Sequence, residues 1–469
     1  MYAFLTHLAI AGSLIQAGVS LPTESPTQAE LEERGLIGDV LGDLTGVVGG
    51  ALAELQDLGP GNGVPLKDVI STLKSVKPTA TPTSPSQALA ALSSIYQASP
   101  TPNNIYAAVG KVVADGLSGE DVEDVLDFLN GFKTDENSFD NDNPKEASVS
   151  VYPKASSEDA PYDLSEAKLR AAIHIPDTFQ YGAEGAPQPA ILVPGTGDSG
   201  YTTFQGNLIP LLQGSTVADP VWLNIPGYML DDAQGNAEYI AYAINYIYGI
   251  SNQRKVAVIG WSQGNLGAHW ATKYWPSTRA KISDHVAFSA DYHGTYLATL
   301  LALGEPLPPS LLQQAYNSQF IQTVRANGGD SAYVPTTNIY SGFYDEIVMP
   351  QSGTGASAYL KDANNVGVSN NEVQKICPNQ PAGGLYLHEG TMYNSLAYSL
   401  LLDALANDGP GQPSRLDLDT VCSYALTPGL GLGDLLVTEQ SVTIAVTNIG
   451  IYPDSVAKEP AIKSYAHAQ

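Results

Sequence analysis

Basic residues and cysteines are scarce in this sequence of 469 residues. Only 21 lysines and arginines accompany 48 aspartates and glutamates, which gives a formal net charge of −27. Nucleic acids attract proteins through Lys and Arg, so this charge predicts no nucleic-acid partner and favours a neutral small molecule or lipid. The sequence has no Cys pair at zinc spacing, no H-E-x-x-H and no P-loop. We therefore predict neither a metal nor a cofactor.

Long apolar runs are also missing after the amino terminus. Residues 1–20 contain an apolar run followed by small residues, which is typical of a secretory signal peptide. The run is shorter than the ~20 residues that a membrane-spanning helix needs, and His7 interrupts it. We expect a secreted, extracellular protein without a stable membrane anchor. In an oxidising compartment the two cysteines, Cys377 and Cys422, could form one disulfide.

Composition separates two segments from the rest of the chain. Residues 21–132 contain alanine-rich amphipathic stretches at 85–97 and 103–116 and a capping-box pattern at Ser118. They predict a small helical extension or pro-segment. Residues 133–161 are acidic and poor in aliphatic side chains, so they predict a linker that cannot fold by itself.

Residues 162–469 alternate short β-rich runs with helical stretches. This alternation is typical of an α/β fold in which helices cover both faces of a mostly parallel sheet. The predicted strands cover 190–193, 221–225, 255–260, 285–290, 336–341 and 383–388. The predicted helices cover 237–249, a stretch after the strand at 255–260 that ends near Trp275, and 391–407.

The motif with the clearest chemistry is Gly260-Trp261-Ser262-Gln263-Gly264. It lies between an aliphatic run and a helical stretch, which is the context of a nucleophile elbow. The flanking glycines suit such an elbow because side chains there would collide with the adjoining strand and helix. The motif therefore predicts an α/β-hydrolase whose nucleophile is Ser262.

A serine hydroxyl needs a histidine to accept its proton. In this fold the nucleophile precedes the acid, and the acid precedes the histidine. His388 follows an apolar run and precedes a long helical stretch, so we predict it as the base. The histidines that fit this position less well are His269, His285, His293 and His467.

The acid should follow a later strand, and two residues meet this condition. Asp345 follows TTNIYSGFY and Asp291 follows HVAFSA. Spacing alone does not decide between them. We favour Asp345, because Asp291 is also typical of a buried hydrogen-bonding acid near the elbow. We expect Glu346, the neighbour of Asp345, to be solvated.

The negatively charged oxygen of the intermediate needs at least two hydrogen-bond donors. The residue after the nucleophile normally supplies one of them through its backbone N–H, and here that residue is Gln263. Thr196 lies in a Gly-rich turn directly after the strand at 190–193 and could offer both its amide and its hydroxyl.

Several segments taken together resemble the fungal lipase B family, known from Candida antarctica. They occur in the same order as in that family and cover roughly residues 185–425. They are LVPGTG at 192–197, WSQG at 261–264, FSADYHGT at 288–295, VPTTNIYSGFYDEIVMPQ at 334–351 and the loop of His388.

The resemblance implies an α/β-hydrolase fold with Ser262, Asp345 and His388 as the catalytic triad. It implies Thr196 and Gln263 as the oxyanion hole and a disulfide between the two cysteines. It also places Trp261 and Asp291 at the substrate pocket, with Asp291 near the elbow and outside the triad. The sequence departs from the family in its helical extension, in Gly260 at the start of the elbow and in residues 297–316.

The expected function is hydrolysis of neutral, apolar carboxylic esters, triacylglycerols included, by a lipase or carboxylesterase through an acyl-enzyme on Ser262. Two alternatives stay open. An acyltransferase would pass the same acyl group to an alcohol or amine instead of water. A non-catalytic extracellular binding protein could retain the fold alone.

Overall fold

The computed structural model describes residues 66–96, 105–118, 134–301 and 306–467. The predicted signal peptide at 1–20 and the helix predicted after Ser118 lie outside these ranges. No helix within them combines the length and the apolar character that crossing a bilayer requires.

The strands of these residues are β1 (Ile173–His174), β2 (Gln188–Val193), β3 (Ala218–Leu223), β4 (Val256–Trp261), β5 (Ile282–Phe288), β6 (Thr336–Tyr340) and β7 (Val368–Glu372). The helices of the amino-terminal half are α1 (Leu66–Ser75), α2 (Pro85–Tyr96), α3 (Ile105–Ala114), α4 (Glu166–Ala171), α5 (Gly200–Phe204), α6 (Leu208–Leu212) and α7 (Ala233–Ile250). The remaining helices are α8 (Gln263–Tyr274), α9 (Tyr296–Leu301), α10 (Pro309–Gln313), α11 (Gln319–Arg325), α12 (Val373–Ile376), α13 (Ser395–Ala406), α14 (Leu418–Val421), α15 (Leu432–Ile451) and α16 (Ser464–His467).

Within the described residues the strands form one sheet of seven in the order β1-β3-β2-β4-β5-β6-β7. Only the short edge strand β1 is antiparallel to its neighbour, and the other pairs are parallel. This sheet, with helices packed on its faces, confirms the predicted α/β-hydrolase class.

Apolar side chains cover both faces of the sheet. On β2, Ala190 and Leu192 belong to one core, whereas Ile191 and Val193 belong to the other. A strand that is buried on both sides needs apolar residues at every position, because successive side chains point to opposite faces. This explains why the central strands are continuous hydrophobic runs in the sequence.

The strand predicted at 383–388 is wrong. These residues form the end of a short 3-10 turn and an irregular loop, and β7 completes the sheet instead. β7 pairs with β6 partly through polar side chains, with Asn338 Nδ2 donating to Asn370 Oδ1 at 2.9 Å. Because β7 reads VSNNE, its sequence lacks the apolar pattern that reveals a strand.

The helices before residue 118 pack on the main domain. Helices α1, α2 and α3 all contact α15, near the carboxyl end of the chain. Their apolar residues, among them Leu92 and Val113, belong to the same core as Leu436 and Val442 of α15. The described part of the extension, at 66–96 and 105–118, is therefore helical and shares a core with the main domain.

The segment predicted as a linker lies along the main domain without long secondary structure of its own. Asn143 Nδ2 donates to the carbonyl of Ile173 at 2.8 Å, and Trp222 Nε1 donates to the carbonyl of Glu136 at 2.9 Å. Val151 is buried in the core beside α7. Hydrogen bonds to the main domain thus fix a segment that is too polar to form a core.

Candidate active site

Ser262 lies at the turn between β4 and α8. Its backbone has φ 53° and ψ −128°, a combination that non-glycine residues rarely adopt. Its N–H donates to the carbonyl of Phe288 on β5 at 3.0 Å. Since the strand and the helix on either side are both buried, they hold the turn in this strained conformation.

The two glycines of the motif lie where no side chain fits. A Cβ on Gly260 would lie 2.3 Å from Oδ1 of Asn265, and a Cβ on Gly264 would lie 2.5 Å from the carbonyl oxygen of Val193. The second contact is with strand backbone, which cannot move away cheaply. The motif therefore needs glycine because of close packing between β2, β4 and α8.

His388 and Asp345 form a buried pair. His388 Nδ1 lies 2.9 Å from Asp345 Oδ2 and 3.0 Å from its Oδ1. Asp345 Oδ1 also accepts hydrogen bonds from the backbone N–H groups of Ile347 and Val348 at 3.1 and 2.7 Å. These donors fix the carboxylate, and the carboxylate favours the histidine tautomer that carries its proton on Nδ1.

His388 lines a cavity that Ser262 also lines. Nε2 is buried and has no hydrogen-bond partner among the described residues. With the proton on Nδ1, Nε2 carries a lone pair that can accept a proton. Such catalytic hydrogen bonds often form only when the substrate is bound.

Charges around His388 change its acidity. Burial by itself would lower the pKa of His388, but the negative charge of Asp345 and its hydrogen bond raise it, as do Glu346 and Asp291 more weakly. The net effect is a pKa above the ordinary value. The surrounding acids therefore favour the protonated form of the imidazole.

The backbone of His388 is held by three residues from other parts of the chain. Its carbonyl accepts hydrogen bonds from Trp261 Nε1 at 3.1 Å and from Ser289 Oγ at 2.9 Å. Its N–H donates to Glu346 Oε2 at 2.9 Å. The expectation that Glu346 is solvated is therefore wrong, because its carboxyl group is turned inward and bound to the loop.

Burial, together with the charge of Asp345, raises the pKa of Glu346 to about 8. Sequence reasoning missed Glu346 and Ser289 as residues that position the histidine loop. The adjacency of Glu346 to Asp345 was a signal for the first, whereas nothing in the sequence links Ser289 to His388.

Thr196 and Gln263 lie together beside the elbow. Gln263 Nε2 donates to Thr196 Oγ1 at 2.9 Å, and Thr196 Oγ1 donates to Gln314 Oε1 at 2.8 Å. Gln263 is the first residue of α8, where backbone N–H groups have no acceptor within the helix. A Cβ on Gly195 would lie 2.5 Å from the ring of Trp261. The turn of Thr196 can thus approach the elbow closely only with glycine there.

The two residues that the resemblance places at the pocket differ in position. Trp261 lines the cavity, and the centroid of its ring is 4.9 Å from that of His388. Asp291 is fully buried and is not among the residues that line the cavity. Neither of its carboxyl oxygens reaches a donor on another described residue, and burial raises its pKa to about 7. The expected hydrogen bonds of Asp291 are therefore absent from this structure.

A pair of buried carboxyl groups, those of Glu389 and Glu439, connects the segment after His388 to α15. The side chains of Glu389 and Glu439 face each other, and Tyr393 Oη donates to Glu439 Oε1 at 2.8 Å. Burial raises the pKa of Glu389 well above its ordinary value and that of Glu439 to about 7. Two carboxyl groups this close share a proton rather than ionise together.

The loop after β7 is closed by a disulfide. Cys377 and Cys422 are bonded to each other, as the resemblance implied. Cys377 directly follows α12 and Cys422 directly follows α14, so the bond fixes residues 377–422 at both ends. This segment carries His388.

The cavity beside Ser262 is small and mostly apolar. Its volume is about 80 Å³. Apolar walls come from α3, from α9 and α10, from the loop after Asp345 and from α15. The polar residues of the lining are Ser262, His388, Thr196, Thr295 and Gln314. Together, the sheet, the strained serine turn and the buried His–Asp pair define a serine hydrolase of the α/β-hydrolase class.

Two known proteins identify the family within this class. The crystal structure of Aspergillus fumigatus lipase B has 44% sequence identity and a TM-score of 0.79, and the match covers 90% of this chain and 100% of that one. Lipase B of Pseudozyma antarctica is 38% identical over 224 residues, which are 46% of this chain and 61% of the relative. The chain belongs to the lipase B family of serine ester hydrolases.

The match thus spans about three fifths of the length of the curated relative. A scan of the chain against protein-family models matched none of them.

Proposed function

We propose that the protein is a secreted serine ester hydrolase that cleaves neutral, apolar carboxylic esters, triacylglycerols among them. One observation carries the proposal: Ser262 and His388 line one apolar cavity, Asp345 is bound to Nδ1 of the histidine, and Nε2 has no partner among the described residues. An apolar wall next to a serine nucleophile suits an acyl chain. The similarity to two lipases supports the same reaction class.

The reaction begins when Ser262 Oγ attacks the acyl carbon and its proton passes to His388 Nε2. The carbonyl oxygen becomes negatively charged and accepts hydrogen bonds from the backbone N–H of Gln263 and from Thr196. The bond to the alcohol then breaks, and the alcohol oxygen takes the proton from His388. This leaves an acyl group on Ser262.

Water completes the cycle by the same route. His388 takes a proton from water, whose oxygen attacks the acyl carbon, and the proton is returned to Ser262 as the carboxylic acid leaves. Asp345 holds the imidazole ring through Nδ1 and stabilises its charged form.

The test is hydrolysis of p-nitrophenyl esters of increasing chain length by the purified protein. We expect Ser262→Ala to lower kcat by about 10⁶-fold, because no other group can form the acyl-enzyme. Ser251→Ala is the matched control: Ser251 is also buried, and its hydroxyl has no partner among the described residues. Turnover by Ser262→Ala equal to that of the control would overturn the proposal.

Secretion is a separate part of the proposal. The apolar run at 1–20 and the disulfide between Cys377 and Cys422 both support an oxidising, extracellular destination. The mass of the protein recovered from culture medium tests it. A mature chain that starts near residue 20 or later is expected, whereas retention of the full chain inside the cell would contradict it.

A further inference from the structure

Part of the wall of the cavity comes from the helical extension. Ile105 and Tyr106, at the start of α3, line the cavity together with Ser262 and His388. Tyr106 is only 5% exposed. The extension therefore reaches the site where the acyl group must lie, although more than 150 residues separate Tyr106 from Ser262 along the chain.

Packing explains how α3 is held there. Tyr106, Val109 and Val113 are buried and follow the three- and four-residue spacing of one helix face. They belong to the same apolar core as Val442 and Val446 of α15, which also line the cavity. The first turn of α3 is thus a fixed part of the pocket wall.

The size of the cavity shows why this wall matters. Its volume of about 80 Å³ is well below the ~300–1,000 Å³ typical of pockets that hold small molecules. A long acyl chain does not fit unless the wall recedes. The Tyr106 ring is the bulkiest group that the extension contributes to the cavity.

We propose that Ile105 and Tyr106 set the length of the acyl chain that the site accepts. This inference rests on the proposed ester hydrolysis and assigns to the extension a role in substrate selection. A smaller residue at 106 deepens the pocket and favours longer chains. A larger residue fills the pocket and favours shorter ones.

The experiment uses the full chain and compares kcat/KM for p-nitrophenyl acetate, butyrate, octanoate and palmitate. We expect Tyr106→Ala to raise the palmitate-to-butyrate ratio by about ten-fold or more, since one methylene in an apolar pocket already changes selectivity about ten-fold. Tyr106→Trp should lower the ratio. Tyr106→Phe keeps the ring and should match the wild type.

Val113→Ala is the matched control, because Val113 is a fully buried residue of the same helix that does not line the cavity. It weakens the packing of α3 without changing the pocket wall, so its ratio should stay at the wild-type value. If the palmitate-to-butyrate ratio of Val113→Ala changes as much as that of Tyr106→Ala, the inference is overturned. The change would then come from weaker packing of α3 and not from the pocket wall.

The remaining outcomes separate the two proposals. If the wild type hydrolyses the esters and the palmitate-to-butyrate ratio is unchanged in both Tyr106→Ala and Tyr106→Trp, the inference is overturned. The proposed ester hydrolysis would still hold. The Trp variant adds bulk rather than a void, so it decides the question even if the Ala variant fails to fold. No turnover of any ester by the wild type would overturn the hydrolase, and with it the role of Tyr106.

Discussion

Around Ser262 a single strand-turn-helix unit fixes the geometry, whereas around His388 the geometry depends on hydrogen bonds from several distant segments. The serine turn is held by glycine contacts with β2 and α8. His388 follows an irregular stretch and directly precedes a 3-10 turn at 389–393. It is held by Asp345, Glu346, Trp261 and Ser289.

The difference predicts how each half of the site fails. The serine turn is sensitive to added volume, because a side chain on Gly260 would collide with Asn265 and one on Gly264 with the backbone of β2. The histidine loop is sensitive to changes of charge and of hydrogen bonding, because these hold a loop that would otherwise be flexible. The four predictions below test this contrast, beginning with the largest effect.

Replacing Asp345 by Asn should lower kcat by about 10⁴-fold while the fold stays intact. The amide keeps the size of the side chain but can donate to Nδ1, which favours the wrong tautomer of His388. Steady-state kinetics check this. Asp284→Asn is the control, since Asp284 is buried on β5 and burial raises its pKa to about 6. Equal losses in both variants would contradict a specific role for Asp345.

Replacing Gly264 by Ala should lower the free energy of unfolding by about 3 kcal/mol, because its Cβ would lie 2.5 Å from the carbonyl oxygen of Val193. Urea denaturation measures the change. Gly235→Ala is the matched control, since a Cβ there has nothing within 4 Å. This control lies in helix α7 and should be stabilised by about 0.5–1 kcal/mol. A change in the free energy of unfolding that has the same sign in both variants would contradict the special packing of Gly264.

The activity should fall about ten-fold for each pH unit below the pKa of His388, because the base must be neutral to accept the serine proton. Burial by itself lowers this pKa. The negative charges of Asp345 and of the neighbouring acids raise it by a larger amount, so the net shift is upward. The midpoint of the acidic limb of kcat/KM should therefore lie above ~6.5, the ordinary value for histidine. A midpoint below that value, with the circular dichroism spectrum unchanged, would show that the acids do not act on His388.

Replacing Glu439 by Gln should stabilise the protein at pH 8 by about 1 kcal/mol or more. Burial raises the pKa of Glu439 to about 7 in the folded state. In the wild type, the protonated Glu439 therefore contributes fully to the free energy of unfolding below the ordinary pKa of a glutamate. This contribution is lost as the pH rises through 7. The amide stays neutral and can still accept the hydrogen bond from Tyr393.

Thermal melts at pH 4 and pH 8 check this effect. The variant should match the wild type at pH 4, where the glutamate is protonated in both states. Glu184→Gln serves as the control, because Glu184 is exposed, and it should show no difference at either pH. A destabilised Glu439→Gln at pH 8 would mean that Glu439 is needed as a charged group.

The sequence predicted the parts of the fold that depend on local patterns. The strands β2 and β4 are largely apolar runs, and the bounds of β2, β4, β5 and β6 lie within a few residues of the predictions. The fold class follows from their alternation with helices. β7 was missed because its partner contacts are polar.

The candidate site shows the same division. Ser262 and Gln263 belong to a motif whose meaning comes from a few neighbouring residues, so the sequence was sufficient to select them. Glu346 and Tyr106 act through distant partners. Their burial depends on how the chain folds back on itself, which no local pattern records.

The sequence by itself determined the central sheet and the serine turn, because both depend on the alternation of apolar residues and on glycines within a short stretch of chain. Only the tertiary structure decided how His388 is held and which residues close the cavity. These features arise where α3, the loop after Asp345 and α15 meet. Contacts between segments so far apart in the chain are set by packing and burial of the whole molecule.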